Sequence, residues 1–134
     1  MDEILKQIEK FHGHLGPYAV IGYKMGEIAN QILGSDSFSK KAFVWTGTNP
    51  PISCIIDGIQ ISSGCTLGKG NILVHQEGIP KARFISNGRH VEIKLKTDVQ
   101  QEIDTTVTEE NIVKYSEQLY HRPNKELFEI SQSI

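Results

Sequence analysis

Residues Ser53–Asn71 read S-C-I-I-D-G-I-Q-I-S-S-G-C-T-L-G-K-G-N and carry both cysteines of the chain, Cys54 and Cys65. Ile55, Ile56 and Ile59 stand at helical spacing among the polar groups. Ser53 has the chemistry of an N-cap, and Gly64 that of a helix stop. The spacing predicts a short helix over Cys54–Ser63, with Cys54 and Asp57, at i and i+3, on one face. In the first turn the helix dipole and free N–H groups favour thiolate over thiol. Cys54 is therefore expected to be a reactive or metal-binding thiol. The competing role is plain packing, since free cysteine is among the most buried residue types. Cys65, between Gly64 and Thr66, belongs to no apolar stripe.

Downstream of that helix, Gly64-Cys65-Thr66-Leu67-Gly68-Lys69-Gly70 invites a phosphate-loop reading and fails it. The first Gly is one residue too close to Gly-Lys, and Gly70 stands where a magnesium-binding Ser or Thr belongs. A tight turn is the expectation, with Lys69, Gly68 and Gly70 as candidate contacts for an anionic ligand.

Upstream, Phe11–Pro17 reads F-H-G-H-L-G-P. Its glycines and proline argue against continuous helix. In extended chain His12 and His14 point to one side and converge on a single ion; in a helix they diverge by about 200°. Pro17 suits a first helical position, and Tyr18, Ile21, Met25, Ile28, Ala29 and Ile32 repeat as one helical face. The main helix is predicted over Pro17–Leu33. Its positive end faces the histidine loop. Gly22 and Gly26, at i and i+4, form a smooth strip for a close neighbour, either a sheet or a second subunit.

Elsewhere Ile4, Leu5 and Ile8 mark an amphipathic helix running to about Phe11. Ala42–Thr46 and Asn71–His75 read as strands. Lys81–Ser86 and His90–Lys96 read as a hairpin through Asn87-Gly88, with Val91, Ile93 and Leu95 on its dry face. Thr97–Thr108 is a loop or short helix, and a helix follows from about Thr108 to Tyr120. Glu126–Ile130 is a docking segment or edge strand. His75 and His90 fall on strands as surface or structural residues.

The 134 residues fit one domain, 1–134, with a core of its own. Hydrophobic residues at 38%, charged residues at 22% and a net charge of −2 give neither a disordered chain nor a nucleic-acid footprint. No apolar run approaches the roughly 20 residues of a membrane span. The N-terminal M-D-E-I-L-K-Q-I-E-K lacks a signal-peptide core. Two cysteines without an export signal predict free thiols in a reducing cytoplasm, with a Cys54–Cys65 disulfide as the alternative.

Two chemistries use the same residues. His12, His14, Cys54 and Cys65 are suitable ligands for a transition metal, zinc first and nickel or iron next. Alternatively, Cys54 is a nucleophile with His14 as base, and Asp57 or His12 orients the imidazole. A metal-free module for an anionic organic cofactor such as a pterin, built on Lys69 and its glycines, is a third reading. A purely structural subunit is a fourth.

Phe11–Gly26 and Ser53–Asn71 together resemble the FmdE family of formylmethanofuran dehydrogenase subunits, and the closing E-L-F-E-I is similar as well. The resemblance covers the chain from about Phe11 onward. It implies an α+β fold with a thioredoxin-like core, a mixed sheet flanked by helices, and an intertwined homodimer. It also implies an accessory role beside a molybdenum or tungsten oxidoreductase, although family members occur in bacteria without that pathway. The motif residues it carries over are His12, His14, Cys54, Asp57 and Cys65. Two departures stand out. Many relatives continue into a C-terminal zinc-binding domain, where this sequence ends at Ile134, and some carry Cys where Gly16 stands.

Overall fold

The computed structural model describes residues 1–133. Helix α1 (Glu3–His12) buries Leu5 and Ile8 and stops at Gly13, whose left-handed φ of 104° closes the last turn. Helix α2 (Pro17–Leu33) starts on Pro17 and is buried along most of its length. Strand β1 (Lys41–Val44) follows. Next come a 3₁₀ turn (Ile52–Cys54), helix α3 (Ile55–Ser63) and strand β2 (Ile72–Val74). Strands β3 (Lys81–Ser86) and β4 (Arg89–Leu95) precede helices α4 (Thr97–Thr106), α5 (Ile112–His121) and α6 (Asn124–Leu127). Strand β5 (Phe128–Ser133) comes last.

The strands form one mixed five-stranded sheet in the order β2-β1-β3-β4-β5. β1 and β2 are parallel, so the chain must cross over between them, and α3 is that crossover. The remaining pairs are antiparallel. Asn87 (φ 52°) and Gly88 (φ 78°) both take left-handed backbone and close the β3–β4 hairpin, as Asn-Gly predicts. The α+β class with a mixed sheet flanked by helices is therefore observed.

Helix α2 is the spine. Ile21, Met25, Ile28 and Ala29 join Val44, Phe84, Val91, Ile93 and Leu95 in the main core. Ala19, Val20 and Tyr23 form a second cluster with Leu5, Ile8 and Leu15. The Gly22–Gly26 strip faces neither a sheet nor another subunit; α3 lies on it. A Cβ on Gly22 would come within 1.9 Å of the Ile55 carbonyl oxygen, and one on Gly26 within 1.9 Å of Ser62 Oγ. Gly58 answers from α3, since a Cβ there would lie 2.0 Å from the Ala19 carbonyl oxygen. Three missing side chains thus let the two backbones touch.

Several boundaries differ from expectation for identifiable reasons. Ser53 does not cap α3, because the 3₁₀ turn precedes it and the Cys54 N–H donates to the Pro51 carbonyl (3.1 Å). β1 is shorter than expected, and Thr46 makes only an isolated bridge to Gln76. Thr97–Thr106 is helical, burying Val99 and Ile103 at i and i+4. The Glu126–Ile130 segment divides into the end of α6 and the start of β5, which lies at the sheet edge beside β4. The end of α5 is held by Lys24, a buried α2 residue. Its Nζ donates to the carbonyls of Tyr120 (2.6 Å) and Arg122 (2.7 Å). Burial lowers the pKa of that ammonium, and the carbonyls take over the role of its lost water. Among the described residues no helix is long and apolar enough to cross a membrane.

Candidate functional site

The two motif stretches meet where α1 ends, α2 begins and α3 begins. His12 closes α1, and Gly13 turns the chain so that the His14 ring stacks on it, with centroids 5.0 Å apart and planes at 26°. The two imidazoles converge as expected, through a helix end and a left-handed glycine rather than through extended chain. Asp57, in the first turn of α3, accepts a 2.6 Å hydrogen bond from His12 Nδ1. The carboxylate thereby assigns the ring proton to Nδ1 and leaves the Nε2 lone pair available. Asp57 serves His12, not His14 or Cys54.

Beside this pair opens a cleft of about 330 Å³. His12, His14 and Gly16 form one rim, and Pro17, Tyr18 and Ala19 of α2 line it below. Cys54 with Pro50 and Pro51 makes a second side, and Ile103, Asp104, Val107 and Ile112 make the third. Across the cleft the Tyr18 hydroxyl donates to Asp104 Oδ1 (2.6 Å). Burial, then Asp104, raises the pKa of that phenol far above its ordinary value, so it stays a donor.

Cys54 is half-buried and lines the cleft. Its expected thiolate character is overturned: burial, and next the Asp57 carboxylate, push the thiol pKa up. The helix-start position is outweighed because the 3₁₀ turn lays Cys54 against the core. Cys65 lies elsewhere. It is fully buried in the main core at the other end of α3, where burial also raises its pKa. Both thiols are free. Helix α3 is about 13 Å long at 1.5 Å per residue, beyond the reach of a disulfide or of one ion. Lys69, Gly68 and Gly70 do not reach the cleft either. Lys69 Nζ stands 5.4 Å over the Phe38 ring in an exposed turn, and Gly70 N–H closes that turn onto the Leu67 carbonyl (3.0 Å).

The family model described as "FmdE, Molybdenum formylmethanofuran dehydrogenase operon" matches residues 11–129, a span that includes every residue of the cleft. The chain belongs to the FmdE family. The fold agrees with a solved structure from Syntrophus aciditrophicus, that of an FmdE-like protein of tungsten formylmethanofuran dehydrogenase. That likeness has a TM-score of 0.72 at 21% identity and covers 98% of this chain and 70% of that one. A curated relative from Archaeoglobus fulgidus, described as a probable S-adenosyl-L-methionine-binding protein, is 30% identical over 78 residues. Those residues are 54% of this chain and 20% of the relative, so the chain spans about a fifth of that protein's length.

For this FmdE chain, donor chemistry tests the metal expectation. His12 and His14 are adjacent, and Cys54 shares their cleft, but among the described residues no group of three or more His, Cys, Asp or Glu is arranged to hold an ion. The sequence reading missed Tyr18 and Asp104 as cleft residues. Tyr18 was absorbed into the apolar period of α2, and Asp104 sits in a polar stretch with no motif. Only their proximity in space, 86 positions apart in sequence, reveals them.

Proposed function

We propose that the cleft binds a small organic ligand and that His12, oriented by Asp57, exchanges a proton with it. The observation carrying this reading is the 2.6 Å bond from His12 Nδ1 to Asp57, on the rim of a cleft that is largely apolar. A carboxylate on one imidazole nitrogen makes the other a better base and fixes its direction, the requirement for general acid–base work. Enclosure by Ile103, Val107 and Ile112 gives the ligand an apolar bed. The thiol of Cys54, protonated at neutral pH, then contributes shape and a weak donor rather than a nucleophile. The same reading casts the chain as a homodimeric accessory of a molybdenum or tungsten oxidoreductase, in keeping with the operon named in the family description. S-adenosyl-L-methionine, named in the description of the Archaeoglobus fulgidus relative, is the first ligand to try.

Titrating the protein with that compound and with a set of small-molecule fragments, followed on the His12 and His14 imidazole resonances, is the test. Saturable shifts confined to the cleft are expected. Their absence with every compound would remove the reading.

A second reading, a transition-metal site with zinc first, is favoured by the same Asp57–His12 bond, since carboxylates orient imidazole ligands in this way. The ion would be held by His12 and His14 with Cys54 as third donor, and it would supply Lewis-acid chemistry. Metal analysis of the purified chain and of the His12→Ala and Cys54→Ser variants separates the two. Near-stoichiometric metal, lost in both variants, would replace the first reading by the second.

A further inference from the structure

We infer that the cleft selects a ligand bearing a positive charge, and that Asp104, fastened by Tyr18, is the residue that pairs with it. The inference rests on the reading of the cleft as a small-ligand site and adds the ligand's charge and the residue that recognises it.

The cleft lining contains no Lys or Arg. Asp104 is its single carboxylate, and the two imidazoles are the remaining titratable groups apart from Cys54 and Tyr18. A second carboxylate, Asp57, lies directly behind His12. An anionic ligand would therefore meet negative charge on two sides and no permanent cation. The basic residue marked by the sequence, Lys69, is spent on an exposed turn over Phe38.

Asp104 is also held in place. Tyr18 is buried and donates to Oδ1 at 2.6 Å, which fixes the carboxylate at the cleft wall and leaves Oδ2 without a hydrogen bond to the described residues. A carboxylate oriented before binding loses less entropy on pairing than a free one. Ile103, Val107 and Ile112 offer an apolar surface next to it, which suits an alkylated or aryl-bearing cation better than a hydrated metal ion. Desolvation by such a body strengthens the ion pair, because the dielectric around it falls.

Three probes of similar size decide the matter: benzyltrimethylammonium, benzyl alcohol and benzoate, each titrated into the full chain and followed on the His12 and His14 imidazole resonances. The cation is expected to bind at least about tenfold more tightly than the alcohol, as a charge-assisted contact implies. Benzoate is expected to bind weakest. Asp104→Asn, which keeps the acceptor for Tyr18 and hence the fold, is expected to cancel the preference for the cation and leave alcohol binding unchanged. Raising the salt concentration is expected to weaken the cation alone. Equal cation affinity in Asp104→Asn, or tighter binding of benzoate, would overturn this inference and leave the small-ligand reading standing. No binding by any probe would overturn both.

Discussion

At the N-terminal end of α3, Cys54 is half-buried beside a cleft and Asp57 holds the imidazole of His12. At its C-terminal end Cys65 is fully buried in the main core, Ser63 Oγ accepts its backbone N–H (3.0 Å), and a glycine turn carries Lys69 out to solvent. The same residue types, seven to twelve positions apart, serve ligand chemistry at one end and packing at the other. What separates them is the helix itself, rigid and about 13 Å long. Closeness in sequence across a helix is distance in space.

The strongest way to break this comparison is to move the helix that keeps its two ends apart. In Gly58→Ala the new Cβ would lie 2.0 Å from the Ala19 carbonyl oxygen and 2.3 Å from the Tyr23 nitrogen. Both are backbone atoms of α2, so neither can rotate away. We expect a loss on the order of 3 kcal/mol or more in urea unfolding, and a Tm lower by about 10 °C or more. A loss under about 1 kcal/mol would show that α2 and α3 separate cheaply, and the rigid spacing of the two ends would lose its basis.

The cysteines give the next largest contrast. Cys65→Ser puts a hydroxyl into the main core, at an expected cost of about 1–3 kcal/mol. Cys54→Ser replaces a half-buried thiol on the cleft wall and should cost less than about 1 kcal/mol. Denaturant midpoints of the two variants check this directly. The opposite order would exchange the roles assigned to the ends of α3.

Near zero lies the exposed turn beyond Cys65. A Cβ on Gly68 meets nothing within 4 Å, and Lys69 touches only Phe38 and Thr66 in solvent. Gly68→Ala and Lys69→Ala are each expected to shift stability by about 0.5 kcal/mol or less and to leave ligand shifts at His12 and His14 unchanged. A lost ligand response in Lys69→Ala would return the anion reading of this loop.

Much of the frame was legible because local chemistry and tertiary structure agree. Asn87-Gly88 demands left-handed backbone, and the hairpin is there. The apolar period after Pro17 gives α2, and Val91, Ile93 and Leu95 give the dry face of β4. The partner of the Gly22–Gly26 strip was hidden, although Gly58 is its complement, because sequence spacing reports a smooth face and not what lies on it. The site was legible in its members and not in its pairings. His12, His14, Cys54 and Asp57 do gather, but which imidazole Asp57 serves depends on how the end of α1 crosses the start of α3. Asp104 carries no local signal at all, since its helix presents only Val99 and Ile103 as a buried pair. Cys65 could have been set apart from Cys54 by the predicted length of α3 alone.

The smallest effect expected is a shift in the reactivity of Cys54, and it sharpens the account of the cleft end. Burial and the Asp57 carboxylate both push its thiol pKa up. Alkylation by iodoacetamide requires thiolate, so its rate should rise with pH to an inflection above the ordinary value of about 8.5 and stay slow at neutral pH. Cys65, fully buried, should remain unmodified in the native chain, so mass spectrometry reads a single site. Asp57→Asn keeps an acceptor for His12 Nδ1 and removes the negative charge, which should move the inflection down. It should not return to the ordinary value, because burial, the larger cause, remains. An inflection below the ordinary value in the unmodified sequence would mean that the helix start outweighs burial. Cys54 would then be the nucleophile of the cleft, with an unpaired His14 as the imidazole left to serve it.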